Sequence, residues 1–116
     1  MEWNAADLIE AVADVARDRE ALVVDGGPRL TWSELDARAS ALANHLIEAG
    51  VSPQEHVACY MANGNEYLET MLACFKARAV PINVNWRYKA GEIAYLFDDA
   101  DVVACVIDPE FVPVLE

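Results

Sequence analysis

A chain of 116 residues bounds a single domain. Its eight basic residues against twenty acidic ones, a net charge of −12, argue against a nucleic-acid or anionic-membrane partner, because phosphate binding needs a basic patch and none of the Lys or Arg residues cluster. The apolar share, 55%, is high for so short a chain, which implies either a dense core or apolar faces that expect a partner.

In chain order, "NAADLIEAVADVAR" (4–17) carries Leu8, Ile9, Val12 and Val15 at helical spacing, with Asn4 as N-cap and Asp7 three residues on. The N-terminal decapeptide "MEWNAADLIE" has neither a basic n-region nor a long apolar core, so a secretory leader is not expected. "ALVVDGGPRLTW" reads as a short hairpin, two strands around the turn formers Asp25, Gly26, Gly27 and Pro28.

"TWSE" is a capping box that starts the next helix at Thr31, with Leu30 and Leu35 placed as a hydrophobic staple. Leu35, Ala39, Leu42 and Leu46 form its apolar stripe, and Glu34 and Arg38 are spaced to pair across one turn. Gly50 is placed to close it, with Pro53 following. His45 falls on the exposed flank.

"HVACYM" reads as a strand, "ANGN" as a turn with Asn65 as cap, and the following helix buries Leu68, Met71, Leu72 and Phe75. "AVPINV" is a second strand, "GEIAYLF" a helix with Ile93, Leu96 and Phe97 inward, and "DVVACVI" a third strand stopped by "DPEF". From His56 the order is β-α-β-α-β. Connections of this length are crossovers, so the strands should be parallel and buried on both faces. The fold class is α/β, a β-hairpin followed by a parallel-sheet unit.

Chemistry-bearing patterns are few. No G-x-x-x-x-G-K-[ST] or G-x-G-x-x-G occurs. His56 and Cys59, three apart on a strand, point to opposite faces and cannot share a metal. "DDAD" (98–101) lacks the further ligands and the glycine of a calcium loop. Cys59, Cys74 and Cys105 lie in apolar segments without a C-x-x-C, as buried hydrophobes in a reducing compartment do. With no apolar run near the roughly 18 residues of a membrane span, a cytoplasmic protein is expected.

The order of short motifs from "LTWSEL" through "GVSPQEHVA", "ANGNE" and "LACFKARAVPINVNWR" resembles the N-terminal region of the AMP-forming acyl-CoA synthetases, members of the adenylate-forming superfamily. The resemblance runs from about Ala21 to Ile107. "ACFKARAVPINVNWRY" is most similar to the fatty-acid and steroid-side-chain acyl-CoA ligases. Arg78 stands where the family usually has glycine, Ala62 replaces a proline, Lys89 replaces a Ser/Thr N-cap ahead of Glu92, and Gln54-Glu55 replaces Gly-Asp.

The resemblance implies an enzyme that activates a carboxylic acid with ATP and Mg2+ to an acyl-adenylate and passes the acyl group to CoA. The family's phosphate loop, ribose-binding aspartate, hinge and catalytic lysine have no counterpart here. Residues 1–116 are therefore expected to be a partial N-terminal domain, inactive alone, whose open apolar faces pack on the remainder. The alternative is a stand-alone, non-catalytic binding or regulatory module. No catalytic or metal-binding residue is assigned. Arg87, in the family's N-x-R step, is the one candidate site residue. The resemblance places it near the phosphate of the CoA nucleotide, and its competing use is an ion pair with Glu92 or another acid. Asn83, Asn85, Trp86 and Tyr88 are expected to be structural.

Overall fold

The computed structural model describes residues 4–115, so residues 1–3 and 116 of the expected domain lie outside the described residues. The elements are α1 (Ala5–Val15), β1 (Glu20–Val23), β2 (Arg29–Thr31), α2 (Trp32–Glu48), β3 (His56–Tyr60), α3 (Asn65–Lys76), β4 (Val80–Val84), α4 (Ala90–Asp99), β5 (Val102–Ile107), a 3-10 turn (Pro109–Phe111) and α5 (Val112–Leu115). β1 and β2 form an antiparallel hairpin, and β4-β3-β5 form a parallel sheet. The α/β class, the hairpin and the parallel unit are as the sequence implies.

Local chemistry fixes the helix ends. Thr31 Oγ1 accepts from the Glu34 amide at 3.1 Å, and Glu34 Oε1 accepts from the Thr31 amide at 2.9 Å, completing the capping box. At the other end Gly50 has φ 104°, its amide donates to Ile47 O, and Val51 N donates to Leu46 O at 3.1 Å, a Schellman closure. α3 closes in the same way, with Arg78 in the glycine position at φ 62° and Ala79 N donating to Cys74 O.

The two faces of the sheet have separate cores. α2 and α3 cover one face, where Val57 packs with Ala43, Leu46, Ala73 and Cys74. α4 and the C-terminal turn cover the other, where Ala58 and Tyr60 meet Val84 and Ile93. Burial on both faces holds only for β3. β5 is partly exposed along its length: among the described residues no strand pairs with its outer edge, and Val103 is 52% exposed. Val103 is also the extra residue of a bulge, because His56 pairs with Val102 and Val57 with Ala104.

Several expectations are corrected. α1 spans Ala5–Val15, shorter than 4–17, and Leu8 and Val15 are exposed. Its inward face is Ala6 and Ala13, small enough to let the helix lie close to its neighbours, with Ile9 packed against Leu30, Leu35, Ala39 and Leu72. Its anchors are polar. Asn4 Nδ2 donates to Phe75 O at 2.7 Å, Asp7 pairs with Arg78 at 2.9 Å, and Lys76 bridges Asp36 and Glu10 at 2.6 and 3.6 Å.

Arg38 does not pair with Glu34, which the capping box occupies, but with Glu69 of α3 at 2.5 Å. Asn65 is not a cap. Gly64 precedes the helix, and the buried Asn65 amide donates to Glu69 Oε2 at 2.6 Å. Of the four apolar residues expected inside α3 only Leu72 is buried. Ala73, Cys74 and Thr70 take the deepest positions because small side chains fit against the sheet.

Candidate functional site: the carboxyl ends of the parallel strands

Parallel strands bring their carboxyl ends to one edge, where the chain is free to vary and ligands sit in open α/β sheets. β3 ends at Tyr60, β4 at Val84 and β5 at Ile107. Because α3 and α4 lie on opposite faces, the crevice between β3 and β5 is the topological switch point.

A cleft of about 370 Å3 opens there, with Arg38, Glu66, Glu69, Thr70 and Asp108 in its walls. Its one cation is committed: the Glu69 carboxylate raises the Arg38 pKa by hydrogen bonding and by charge. Asp108 Oδ2 accepts from Ala62 N at 3.2 Å, and Asp108 N donates to Tyr60 O at 3.1 Å, tying the two strand ends together. Three carboxylates around one neutralised guanidinium disfavour an anionic ligand.

The turn beyond β4 differs. Asn85 Oδ1 accepts from Arg87 N at 2.9 Å, and Asn85 O accepts from Tyr88 N at 3.0 Å, so one asparagine closes the turn. Arg87 is exposed, and its guanidinium lies 4.9 Å from the centroid of the Trp86 ring, which leaves its N–H edge open. The ion pair with Glu92 does not form. Arg87 makes no salt bridge among the described residues, and Glu92 Oε1 instead accepts from Lys89 N at 3.2 Å, starting α4 without a side-chain cap. Beside the turn lies a cleft of about 460 Å3 lined by Tyr88, Gly91, Glu92, Tyr95 and Leu96.

Asn83 is held from α3 by the Tyr67 hydroxyl. Beneath the turn, Tyr60 is fully buried, and burial pushes its phenol pKa up, keeping it a neutral donor. Its hydroxyl lies 3.4 Å from Tyr88 O, and its ring stacks on Phe111 at 4.9 Å with planes 8° apart. Sequence reading had no signal for Tyr60, which looks like any strand residue until α4 and the C-terminal turn close over it.

A larger cleft, about 600 Å3, lies at the amino end of β4 among Asn4, Gln54, Phe75 and Arg78. It is remote from the carboxyl edge, and its Asn4 and Arg78 serve the anchoring of α1. Cys59 and Cys74 are buried, and the Cys59 thiol donates to Val57 O at 4.0 Å. The neighbouring Cys74 thiol, then burial, pushes the Cys59 thiol up, and the Cys59 thiol in turn lowers Cys74. Burial pushes Cys105 up to about 11.

The AMP-binding enzyme family matches residues 9–115, and the chain belongs to that family. It is 44% identical over 106 residues to a 3-oxocholest-4-en-26-oate–CoA ligase of Rhodococcus rhodochrous, covering 91% of this chain and 19% of that protein. It is equally 44% identical to a medium/long-chain-fatty-acid–CoA/3-oxocholest-4-en-26-oate–CoA ligase of Mycobacterium marinum, covering 93% of this chain and 20% of that one. The chain thus spans about a fifth of the length of these relatives. The N-terminal domain of FACL13 from Mycobacterium tuberculosis superposes with a TM-score of 0.91 at 23% identity, over 98% of this chain and 29% of that one, which establishes the shared fold.

Proposed function

We propose that residues 1–116 are the N-terminal part of an acid–CoA ligase that forms an acyl-adenylate from a carboxylic acid and ATP, then passes the acyl group to CoA. The observation that carries this reading is the 44% identity, across nine-tenths of the chain, to ligases named for fatty and steroid-side-chain acids. Those names support a long aliphatic or steroid acid as substrate.

Arg87 is the residue of this segment that would meet CoA. A permanently charged guanidinium, held edge-outward by Trp86 and a closed turn, suits a phosphate of the CoA nucleotide. On a chain of net charge −12 general attraction cannot replace it. The described residues offer no comparable cradle for ATP. ATP with Mg2+ supplies the leaving group that activates the acid, and we assign its binding to the part of the ligase beyond this segment. The segment's own contribution is to build one wall of the domain and present Arg87.

The test compares half-reactions in a ligase carrying this segment. Arg87→Ala should raise KM for CoA several-fold and leave acid-dependent pyrophosphate exchange nearly unchanged. Equal loss in both would give Arg87 a structural role, and no change in either would make it an ordinary surface arginine. The 116-residue chain alone should release no pyrophosphate with fatty, steroid or aryl acids. Release at even a few per cent of the rate of a ligase carrying the segment would overturn the partial-domain reading.

A further inference from the structure

Tyr60 ends the central strand and is fully buried. Burying a tyrosine where phenylalanine would fit is favourable only if the hydroxyl finds a partner. Here the partner is the Tyr88 carbonyl, 3.4 Å away, a weak bond longer than the roughly 3.0 Å of a strong O–H···O contact. The same residue stacks its ring on Phe111 and accepts the Asp108 amide on its carbonyl. One side chain and its backbone thus touch the turn beyond β4 and the turn beyond β5.

The Arg87 turn is otherwise closed by its own residue. Its two hydrogen bonds, to Arg87 N and Tyr88 N, both end on Asn85. Such bonds set the shape of the turn but not its place relative to the sheet. The Tyr60 hydroxyl is the group that reaches it from the central strand.

We infer that Tyr60 is a positioning residue: its hydroxyl fixes the Arg87 turn to β3, and its stacked ring sets that turn against the Asp108–Phe111 turn. The tether stands on the structure alone, whereas its consequence for CoA rests on the Arg87 reading above.

The experiment is amide hydrogen exchange in a ligase carrying this segment. Tyr60→Phe keeps the ring and removes the hydroxyl, while Phe111→Leu removes the stacking partner and keeps the hydroxyl. Tyr60→Phe should speed exchange several-fold at Arg87 and Tyr88 and leave Ala58 and Cys59, in the middle of β3, unchanged. Phe111→Leu should speed exchange at Phe111 and, through the released Tyr60 ring, at Tyr88. Unchanged exchange at Arg87 and Tyr88 in Tyr60→Phe overturns the inference, and so does equal acceleration throughout β3. A CoA titration of the same ligase with Arg87→Ala beside it separates the two ideas. If Arg87→Ala leaves CoA affinity unchanged while Tyr60→Phe frees the turn, the tether stands and the Arg87 reading falls. If Arg87→Ala weakens CoA binding while Tyr60→Phe changes neither exchange nor affinity, the tether falls and the Arg87 reading stands.

Discussion

The amide of Gln54 donates to the carbonyl of Arg78 at 2.8 Å, and both residues hold left-handed backbone, at φ 72° and 62°. Each stands where the resembled family has glycine. A side chain costs roughly 1 kcal/mol in that conformation, and Arg78 offsets part of it through its ion pair with Asp7 at 2.9 Å.

Gln54→Gly is therefore expected to stabilise the chain by about 0.5–1 kcal/mol, or about 4 °C in Tm. Arg78→Gly relieves the same strain but releases Asp7 and with it an anchor of α1, so its net effect should be near zero. Thermal unfolding of the two variants checks the difference. Equal gains in both would mean that the Asp7 pair contributes nothing.

Thr31→Ala removes the oxygen that accepts the Glu34 amide and should cost about 1 kcal/mol. Thr31→Ser retains an acceptor and should cost much less. Chemical denaturation with unchanged slope would measure this loss as stability, and an equal loss in Thr31→Ser would rule out the cap as its source.

Acid should destabilise the fold through three carboxylates. Arg78 and the Asn4 amide hold Asp7 below its ordinary 3.8, Arg29 holds Glu20 below 4.5, and the Thr31 amide holds Glu34 below 4.5. A group depressed in the folded state contributes stability that is complete above its unfolded pKa and is lost as pH falls through the folded one. The fall should begin near pH 4.5 and continue below 3.8, and Asp7→Asn should flatten its lower part.

The thiols should be inert in the folded chain. Cys59 and Cys74 are buried and Cys105 is pushed up to about 11, so at about pH 8 a thiol reagent should label the native chain slowly and the unfolded chain at all three sites. Fast native labelling would place the core in exchange with an open state.

Association is expected at the β5 edge alone. Val80 N donates to Glu55 O, so the outward amides of β4 fall at Pro81 and Asn83, and Pro81 has none to offer. β5 has no proline and no charge. Sedimentation over a micromolar concentration series should show a reversible rise in mass, lowered by Val103→Lys. A strictly monomeric chain would mean that the edge is already guarded.

What was legible in the sequence was local. The capping box, the Gly50 closure, the hairpin turn and the parallel unit each follow from residues close in the chain. What was not legible depended on distant partners. Arg38 was within reach of Glu34 by spacing, but the capping box had claimed that carboxylate and Glu69 lay across the interface. Leu8 and Val15 have the right helical period, yet α1 turns Ala6, Ile9 and Ala13 toward its neighbours and leaves those two outside. At the site, Arg87 and its asparagine turn were visible, while Tyr60 acquires a role only when the ends of three strands come together.

The extra residue at Val103 limits what the open edge can receive. Val102 lies on the α4 side of the sheet and Ala104 on the opposite side, so the bulge takes up one residue without turning either over. An incoming strand finds a regular row of outward amides only beyond it, at Cys105 and Ile107. Two amides hold a neighbour in register over a short run only, so pairing at this edge is confined to the stretch beyond the bulge.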